Sequence, residues 1–532
     1  MVCRDEGEHC LMKKMAALFM VVIISILFLS SCGTRREEEG IILTTVVQEN
    51  VGTQFQNGDT YDDNTWYRAF EERFHITVRN LWVYDDYTTQ LDMSITDGEL
   101  PDVFQVNENQ FIRLQELGQI MDLTDIFEKY ASDTVKEYMA YDNGTFQMAW
   151  SDEKLWGIPQ LNYGIIDQFQ YVWIRRDWKE AIRADDPKTM DDVVAIAREF
   201  ADVFGGYPIT EDSSLECMKR LAPAWGANPG IWLKLSDGTI EYGSIQPEMK
   251  EVLKTYAQWY KEGIINPDFP ICDQRKMFQD VVEGKSGVCP MAQWMAYDPM
   301  PNVIREQGED AFLEPYPIPS ANGQEVYQNI SSGNRGYIVV NKDCKHPEAV
   351  MELINFYAYM MDESAETESP EFISSLFDYS YTNIPCAFTV INPLTDFNQF
   401  QKVKSALAQG ENADVKGLGK DASKYYSCIR WLEEKNPDNI GDWLQQGNEK
   451  SAYGIAEELL EREAYVRNAV WGISVPTVLE QGDLMESILN EGFTKIILGE
   501  EELDYFDILV EQWKDAGGAQ ATTEANEMYG GK

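Results

Sequence analysis

The chain runs to 532 residues, 44% of them hydrophobic, and carries 44 Lys and Arg against 90 Asp and Glu, for a formal net charge of −46. That much apolar material excludes a disordered chain and predicts two or three domains, each with its own core. A field of this sign repels nucleic acid and anionic lipid head groups, which excludes both as partners, and it says little about fold.

Met12 to Gly33 reads MKKMAALFMVVIISILFLSSCG. Lys13 and Lys14 precede an apolar run from Met15 to Leu29 that ends in small residues, the layout of a secretory signal peptide; a membrane span would need about 20 apolar residues. The stretch ahead of it, MVCRDEGEHCL, carries acids where a signal peptide wants only bases, so translation is expected to start at Met12. The leader's three acids cancel its three bases, and the exported chain keeps the whole −46. Leu29-Ser30-Ser31-Cys32-Gly33 resembles the lipobox of bacterial lipoproteins, which implies cleavage before Cys32 and diacylglyceryl on its sulfur. Each buried acyl methylene contributes about 0.8 kcal/mol, so two or three chains hold the protein durably at the outer face of the cell membrane. Residues 1–31 are thus expected to be removed, and 32–40 to form a solvated, lipid-anchored tether. Cys217, Cys272, Cys289, Cys344, Cys386 and Cys428 lack CxxC spacing and suggest neither a disulfide framework nor a zinc site. His75 and His346 are the only imidazoles after processing.

The fold is expected to begin at Ile41. IILTTVV is a β-rich run, a helix carrying Trp66, Phe70 and Phe74 follows, and Ile76 to Tyr84 reads as a strand. A second helix with Tyr87, Leu91 and Ile95 on one face leads into the strand Val103 to Val106. This alternation predicts a parallel sheet covered by helices. The middle of the chain repeats the logic, with strands at Leu155 to Pro159 and Gln170 to Arg176. Thr189 caps a helix whose stripe is Val193, Ile196, Ala197, Phe200 and Phe204. Another helix, Pro247 to Glu262, buries Met249, Leu253, Tyr256 and Tyr260 and stops at Gly263. Gly336 to Asn341 is a strand, followed by a helix from Pro347 facing inward through Val350, Leu353, Ile354 and Tyr357. Glu363 to about Asp421 is irregular. The chain closes with Phe493 to Gly499 and a helix bearing Phe506, Leu509, Val510 and Trp513, ended by Gly517-Gly518.

Leu100-Pro101-Asp102-Val103, Gly157-Ile158-Pro159, Trp173 to Trp178, Pro187 to Asp191, Tyr260 to Pro267, Gly284-Lys285-Ser286-Gly287, and the closing Phe493–Gly499 and Trp513–Gly518 stretches stand in the order found in one family. Through them the chain resembles the large extracellular solute-binding lipoproteins of ABC importers, family 1 type, in the branch associated with complex carbohydrates. The resemblance implies an α/β, two-lobed periplasmic-binding-protein-like fold of type II, each lobe a central sheet flanked by helices, with hinge strands between. Lobe 1 is expected to hold 41–160 with about 330–400, and lobe 2 to hold 161–329 with about 401–532. The family further implies a monomer that binds a carbohydrate, an oligosaccharide by that branch's habit, in the cleft and passes it to permease subunits served by a separate ATPase. Some relatives bind calcium through an EF-hand-like loop, but this chain has no D-x-[DN]-x-[DN]-G pattern, so neither metal nor cofactor is expected.

Catalytic motifs fail against the same residues. Glu283-Gly284-Lys285-Ser286 mimics the end of a P-loop, but its first glycine would fall on Gln279. Gly417 to Ala422 fits G-x-G-x-x-A without a strand ahead of it. There is no HExxH and no G-x-S-x-G, so no enzyme is expected. The readings from other classes are a surface glycan-degrading enzyme and a sugar-sensing lipoprotein. A sugar site needs flat aromatic surface for pyranose C–H faces and planar polar groups for hydroxyls. Trp294 lies past a strand whose end faces the cleft in related proteins. Asn107 lies just past the strand ending at Val106, where α/β sheets present ligands. Gln160 and Arg335 flank expected lobe crossings, Trp225 and Trp232 bracket a Gly/Pro-rich loop, and Trp471 opens Trp471-Gly472-Ile473. For each of these the competing role is a buried anchor or a solvated loop.

Overall fold

The computed structural model describes residues 40–49, 55, 58–141, 143–161, 164–331, 334–361, 384, 386–448, 450–471 and 474–530. The leader, Cys32 and the tether up to residue 39 lie outside the described residues, as do 362–383 of the stretch read as irregular. Among the described residues no helix is long and apolar enough to cross a membrane.

Strand β1 (Ile41–Gln48) is followed by helix α1 (Thr65–Phe74) and β2 (Ile76–Tyr84), which pairs with β1 in parallel, Ile41 opposite Ile76. Asn64 starts α1 by accepting the Tyr67 N–H on its side chain, and His75 ends it in the left-handed region. Helix α2 (Tyr87–Asp97) then leads to β3 (Val103–Val106) and α3 (Glu108–Glu116). Here the expected parallel sheet breaks. Asp102 Oδ2 takes the Thr44 N–H at 2.8 Å and the Thr44 hydroxyl at 2.6 Å, so side-chain bonds join β1 to the start of β3. The ladder partner of β3 comes from far along the chain. Strand β4 (Ile158–Leu161) and β11, introduced below, complete an antiparallel sheet of order β3, β11, β4.

Past residue 161, β5 (Gln170–Arg175) is the centre of a second sheet. Helix α4 (Met190–Phe204) begins where Thr189 and Asp192 form a reciprocal capping box. Its stripe is buried as expected except Phe204, which is 37% exposed and stacks on Trp178 with centroids 4.5 Å apart. Strands β6 (Trp232–Lys234) and β7 (Ile240–Tyr242) form a hairpin ahead of α5 (Met249–Lys261). Trp259, not Tyr260, completes the buried face of α5, because Met249, Val252, Leu253, Tyr256 and Trp259 make the tighter 3.6-residue stripe. Strands β8 (Val288–Ala292) and β9 (Leu313–Pro317) flank β5, both antiparallel to it.

Strand β10 (Gln328–Ile330) precedes β11 (Asn334–Val340) and α6 (Pro347–Met361), whose buried face includes all four expected residues. The stretch read as irregular contains α7 (Thr395–Gln409). Helix α8 (Ala452–Glu461) and β12 (Tyr465–Arg467) lead to α9 (Pro476–Leu498), of which only the last turns were expected. Helix α10 (Tyr505–Trp513) ends in a π-helical turn at the glycine pair, and the chain continues as α11 (Ala519–Tyr529).

Burial sorts these elements into separate cores. One cluster draws on residues 43–161 and 337–390. Two others draw on 172–318 with 470–525 and on 166–330 with 400–464. Strand β5 divides the latter pair by its two-residue period: Val172 and Ile174 enter one, Tyr171 and Trp173 the other. The backbone passes between the first cluster and the rest three times, within 161–166, 330–337 and 390–400. The first and third crossings abut. Gly164 has φ +93°, and a Cβ there would stand 2.1 Å from the Pro393 carbonyl oxygen. Ser331 N donates to Gln168 Oε1 at 2.9 Å and ties the second crossing to the first. Gly164→Ala is therefore expected to lower unfolding free energy in urea melts by more than about 1 kcal/mol. Gly238→Ala, at φ +87° with nothing within 4 Å, should lose less.

Candidate functional site

The sheet of the first core ends at one rim. Asn107 is exposed and caps α3: its Oδ1 accepts the Gln110 N–H at 2.9 Å, while Gln110 Oε1 accepts the Asn107 N–H at 3.2 Å. The next two side chains reach out of this core. Glu108 Oε1 accepts the Ser474 N–H, and Asn109 Nδ2 donates to the Leu479 carbonyl of α9 at 3.3 Å. Burial raises the Glu108 carboxyl above its usual range, against the lowering effect of the Ser474 bond. On β11, Tyr337 stands opposite both Val106 and Pro159, and its ring stacks on Phe111 of α3 at 4.1 Å. Arg335, exposed two residues earlier, thus emerges at the same sheet end as Asn107 and Gln160. Gln160 itself is 5% exposed, with Nε2 donating to Thr389 Oγ1 at 2.6 Å, so it braces the interior.

At the start of the second crossing, β10 and β12 pair in parallel with Ile330 opposite Arg467. Asn468 holds the next turn: its N–H bonds the Ile330 carbonyl at 2.8 Å and its Oδ1 accepts the Trp232 N–H at 3.0 Å. The guanidinium of Arg467 lies 5.7 Å from the Tyr465 ring centroid and 5.0 Å from that of Trp471, which is half-buried. Tyr465 and Arg467 thus belong to the β10–β12 ribbon, while Ser474 stands at Glu108 of the first core.

The structure brings Asn107, Gln160 and Arg335 to one sheet end, sets Trp471 beside Arg467 on the other core, and sends the other tryptophans elsewhere. Trp232 is buried against Tyr242 and Trp513, and the backbone alone joins it to Asn468. Trp225 packs edge-on to Trp259. Trp294, half-buried in a 3-10 turn after β8, packs edge-on to Phe278. Tyr465, Arg467, Glu108 and Ser474 were missed. Only the Y-V-R-N-A-V-W pattern, an arginine two and four residues from aromatics, could have flagged the first two. A polar groove of about 630 Å³ opens between Ser213, Ser214 and α9, but it takes no residue from the first core.

Just past the crossings lies a carboxyl pair. The Tyr453 hydroxyl of α8 lies 2.6 Å from Asp167 Oδ1, beside the first crossing, and 3.1 Å from Asp396 Oδ2, beside the third. The two carboxyls thus share this one hydroxyl. Burial, and then the neighbouring Asp396, push Asp167 well above the usual carboxylate range. Its stabilising contribution is complete below the ordinary aspartate value of about 3.9 and is lost as pH rises through the raised folded value. Urea melts across that window should show falling stability, and Asp167→Asn should flatten the dependence.

Among the described residues no group of three or more His, Cys, Asp and Glu could hold a metal, and Cys217, Cys272, Cys289, Cys344 and Cys428 are buried and unbridged. Lipoprotein LipO of Bacillus subtilis is 22% identical to this chain over 87% of it and 88% of the relative. The polygalacturonan/rhamnogalacturonan-binding protein YtcQ of the same species is 23% identical, again over 87% and 88%. Neither name is that of an enzyme. The crystal structure of alginate-binding protein AlgQ2 without calcium ion matches with a TM-score of 0.63 at 14% identity, covering 92% of this chain and 98% of that one. The fold is accordingly two-lobed and periplasmic-binding-protein-like, with mixed helix and sheet in both lobes. Residues 57–358, more than half the chain, match the sequence pattern of the family, and the protein belongs to the bacterial extracellular solute-binding proteins.

Proposed function

We propose that this protein, anchored by lipid on Cys32 at the outer face of the cell membrane, captures an oligosaccharide between its lobes and delivers it to an ABC importer. It acts as a monomer, hands the sugar on intact, and leaves ATP hydrolysis to a separate subunit. The observation that carries the reading is the junction itself. Asn107 and Arg335 stand at one sheet end of the first core, and Glu108 beside them accepts the Ser474 N–H from beyond the backbone crossings. Core membership supports lobe 1 as 41–160 with about 330–400, and lobe 2 as 161–329 with about 401–532. The names of YtcQ and AlgQ2 support a carbohydrate.

A ligand touching both lobes binds the closed state better than the open one, and that difference drives closure. Within the site, Trp471 supplies ring surface and Asn107 and Arg335 supply polar contacts. Trp294 would belong to the site only through a face left open by Phe278.

Screening a panel of oligosaccharides by thermal shift tests the reading, since a ligand at 100 times its Kd adds about 2.7 kcal/mol. The bound sugar should be recovered unshortened, and progressive cleavage would replace this reading by a glycan-degrading enzyme. Trp471→Ala should weaken sugar binding by about 1–3 kcal/mol, by analogy with base–aromatic stacking, with little loss of fold. Trp232→Ala should instead cost about 3–5 kcal/mol of stability. Membrane fractionation of Cys32→Ser should show release of the protein or retention by an uncleaved leader, and normal acylation would contradict the anchor.

A further inference from the structure

Two of the buried cysteines, far apart in sequence, stand together in space. Cys289 lies on β8 opposite Trp173 of β5, and both side chains enter the same hydrophobic cluster. Cys217, in the first turn of the helix Glu216–Leu221, enters that cluster too. The chain just ahead of this helix is laced to β8: Ile209 bridges Val288 in parallel, and the Thr210 N–H donates to the Val288 carbonyl at 3.0 Å. Thr210 is thereby set beside Cys289. Its hydroxyl lies 3.7 Å from Cys217 Sγ and also hydrogen-bonds the Cys289 thiol, and the two thiols hydrogen-bond each other. Glu211 holds the helix start in this position, its Oε1 accepting the Cys217 N–H at 3.1 Å and its Oε2 the Met218 N–H at 2.8 Å. Both sulfurs sit in residues that are 0% exposed. Among the other described cysteines the neighbours are not sulfur: Cys272 Sγ faces the Asp273 carbonyl at 3.5 Å, Cys344 stands by Asp102 and His346, and Cys428 by Asp442 and Lys424.

Resting on the outer-face reading above, we infer that Cys217 and Cys289 are joined by a disulfide in the exported protein, a cross-link that staples the helix Glu216–Leu221 to β8. Thiols carried outside the cell membrane meet oxidants where cytosolic ones meet reductants. Closing from thiol contact to an S–S bond of about 2 Å asks for rotation of two short side chains. The oxidant is an external disulfide, on an oxidoreductase or a small thiol compound. One cysteine thiolate attacks it and releases one of its sulfurs as a thiolate, and the second cysteine thiolate displaces the other from the mixed disulfide. The two cysteines thus lose two protons and two electrons, and the external disulfide takes them up as two thiols. The exchange belongs to folding, before the pair is covered. The loop so closed holds β6, β7 and α5, and the bond limits how far these elements separate from β8 when the chain unfolds.

The experiment is peptide mapping by mass spectrometry of the full chain, expressed with its leader, recovered from cells and alkylated in urea without reductant. The peptides carrying Cys217 and Cys289 should be found joined and unalkylated, and those carrying Cys272, Cys344 and Cys428 alkylated. Recovery of Cys217 and Cys289 as free thiols, from protein that an external protease removes from intact cells, would overturn the inference and leave sugar capture standing. Protein that the protease spares would overturn the outer-face reading instead. The cross-link is then decided by refolding the reduced chain from urea in a buffer of oxidised and reduced glutathione: joining of Cys217 to Cys289 supports it, and free thiols or any other pairing overturns it. Urea melts add a second measure. Reductant should lower the midpoint of the unaltered protein and leave that of the Cys217→Ala, Cys289→Ala double variant unmoved, and an equal shift in both would overturn the inference.

Discussion

Two cores that share no buried side chain can act on each other only through the backbone that joins them and the contacts that close over it. Three crossings make the join, and the geometry leaves them little freedom. Gly164 lies against the Pro393 carbonyl where no Cβ would fit, and Gln168 holds Ser331 by a hydrogen bond. A hinge packed this closely moves by small rotations at a few residues, which suits a two-state clamp better than a flexible linker does. The Asp167, Asp396 and Tyr453 cluster stands just past the first and third crossings and ties them to one another through the tyrosine hydroxyl.

Among the described residues, the Glu108 carboxylate on the Ser474 N–H and the Asn109 amide on the Leu479 carbonyl join the first core to the rest beyond the backbone crossings. If the lobes bound each other strongly without solute, closure would be paid for already and the ligand could shift nothing. Placing polar caps at the rim, here the α3 N-terminus, keeps the surfaces wettable while the apolar packing stays inside each lobe.

Much of the fold was legible because local rules governed it. Thr189 and Asp192 announced α4 and formed the capping box; the Val350, Leu353, Ile354 and Tyr357 stripe announced α6; and β1 and β2 paired in parallel as their pattern suggested. What could not be read were pairings decided by distant chain. Strand β3 left its expected neighbours because its ladder partner, β11, arrives more than two hundred residues later. The tryptophans show the same limit at the site. Nothing local separates Trp232 from Trp471, yet Trp513 and Tyr242 bury the one and the β10–β12 ribbon leaves the other at the junction. Arg467 went unnoticed because an arginine in a short strand is ordinary until the Tyr465 and Trp471 rings are found beside its guanidinium.

Strand β5 has a further consequence. Its alternate side chains anchor two different hydrophobic clusters, and its backbone carries the ladders of both β8 and β9. Neither cluster can come apart while the other keeps that strand in place, so together they form one cooperative unit. Among the described residues the first core shares no strand with either cluster, so it forms a cooperative unit of its own, whose local opening would leave the β5 ladders intact.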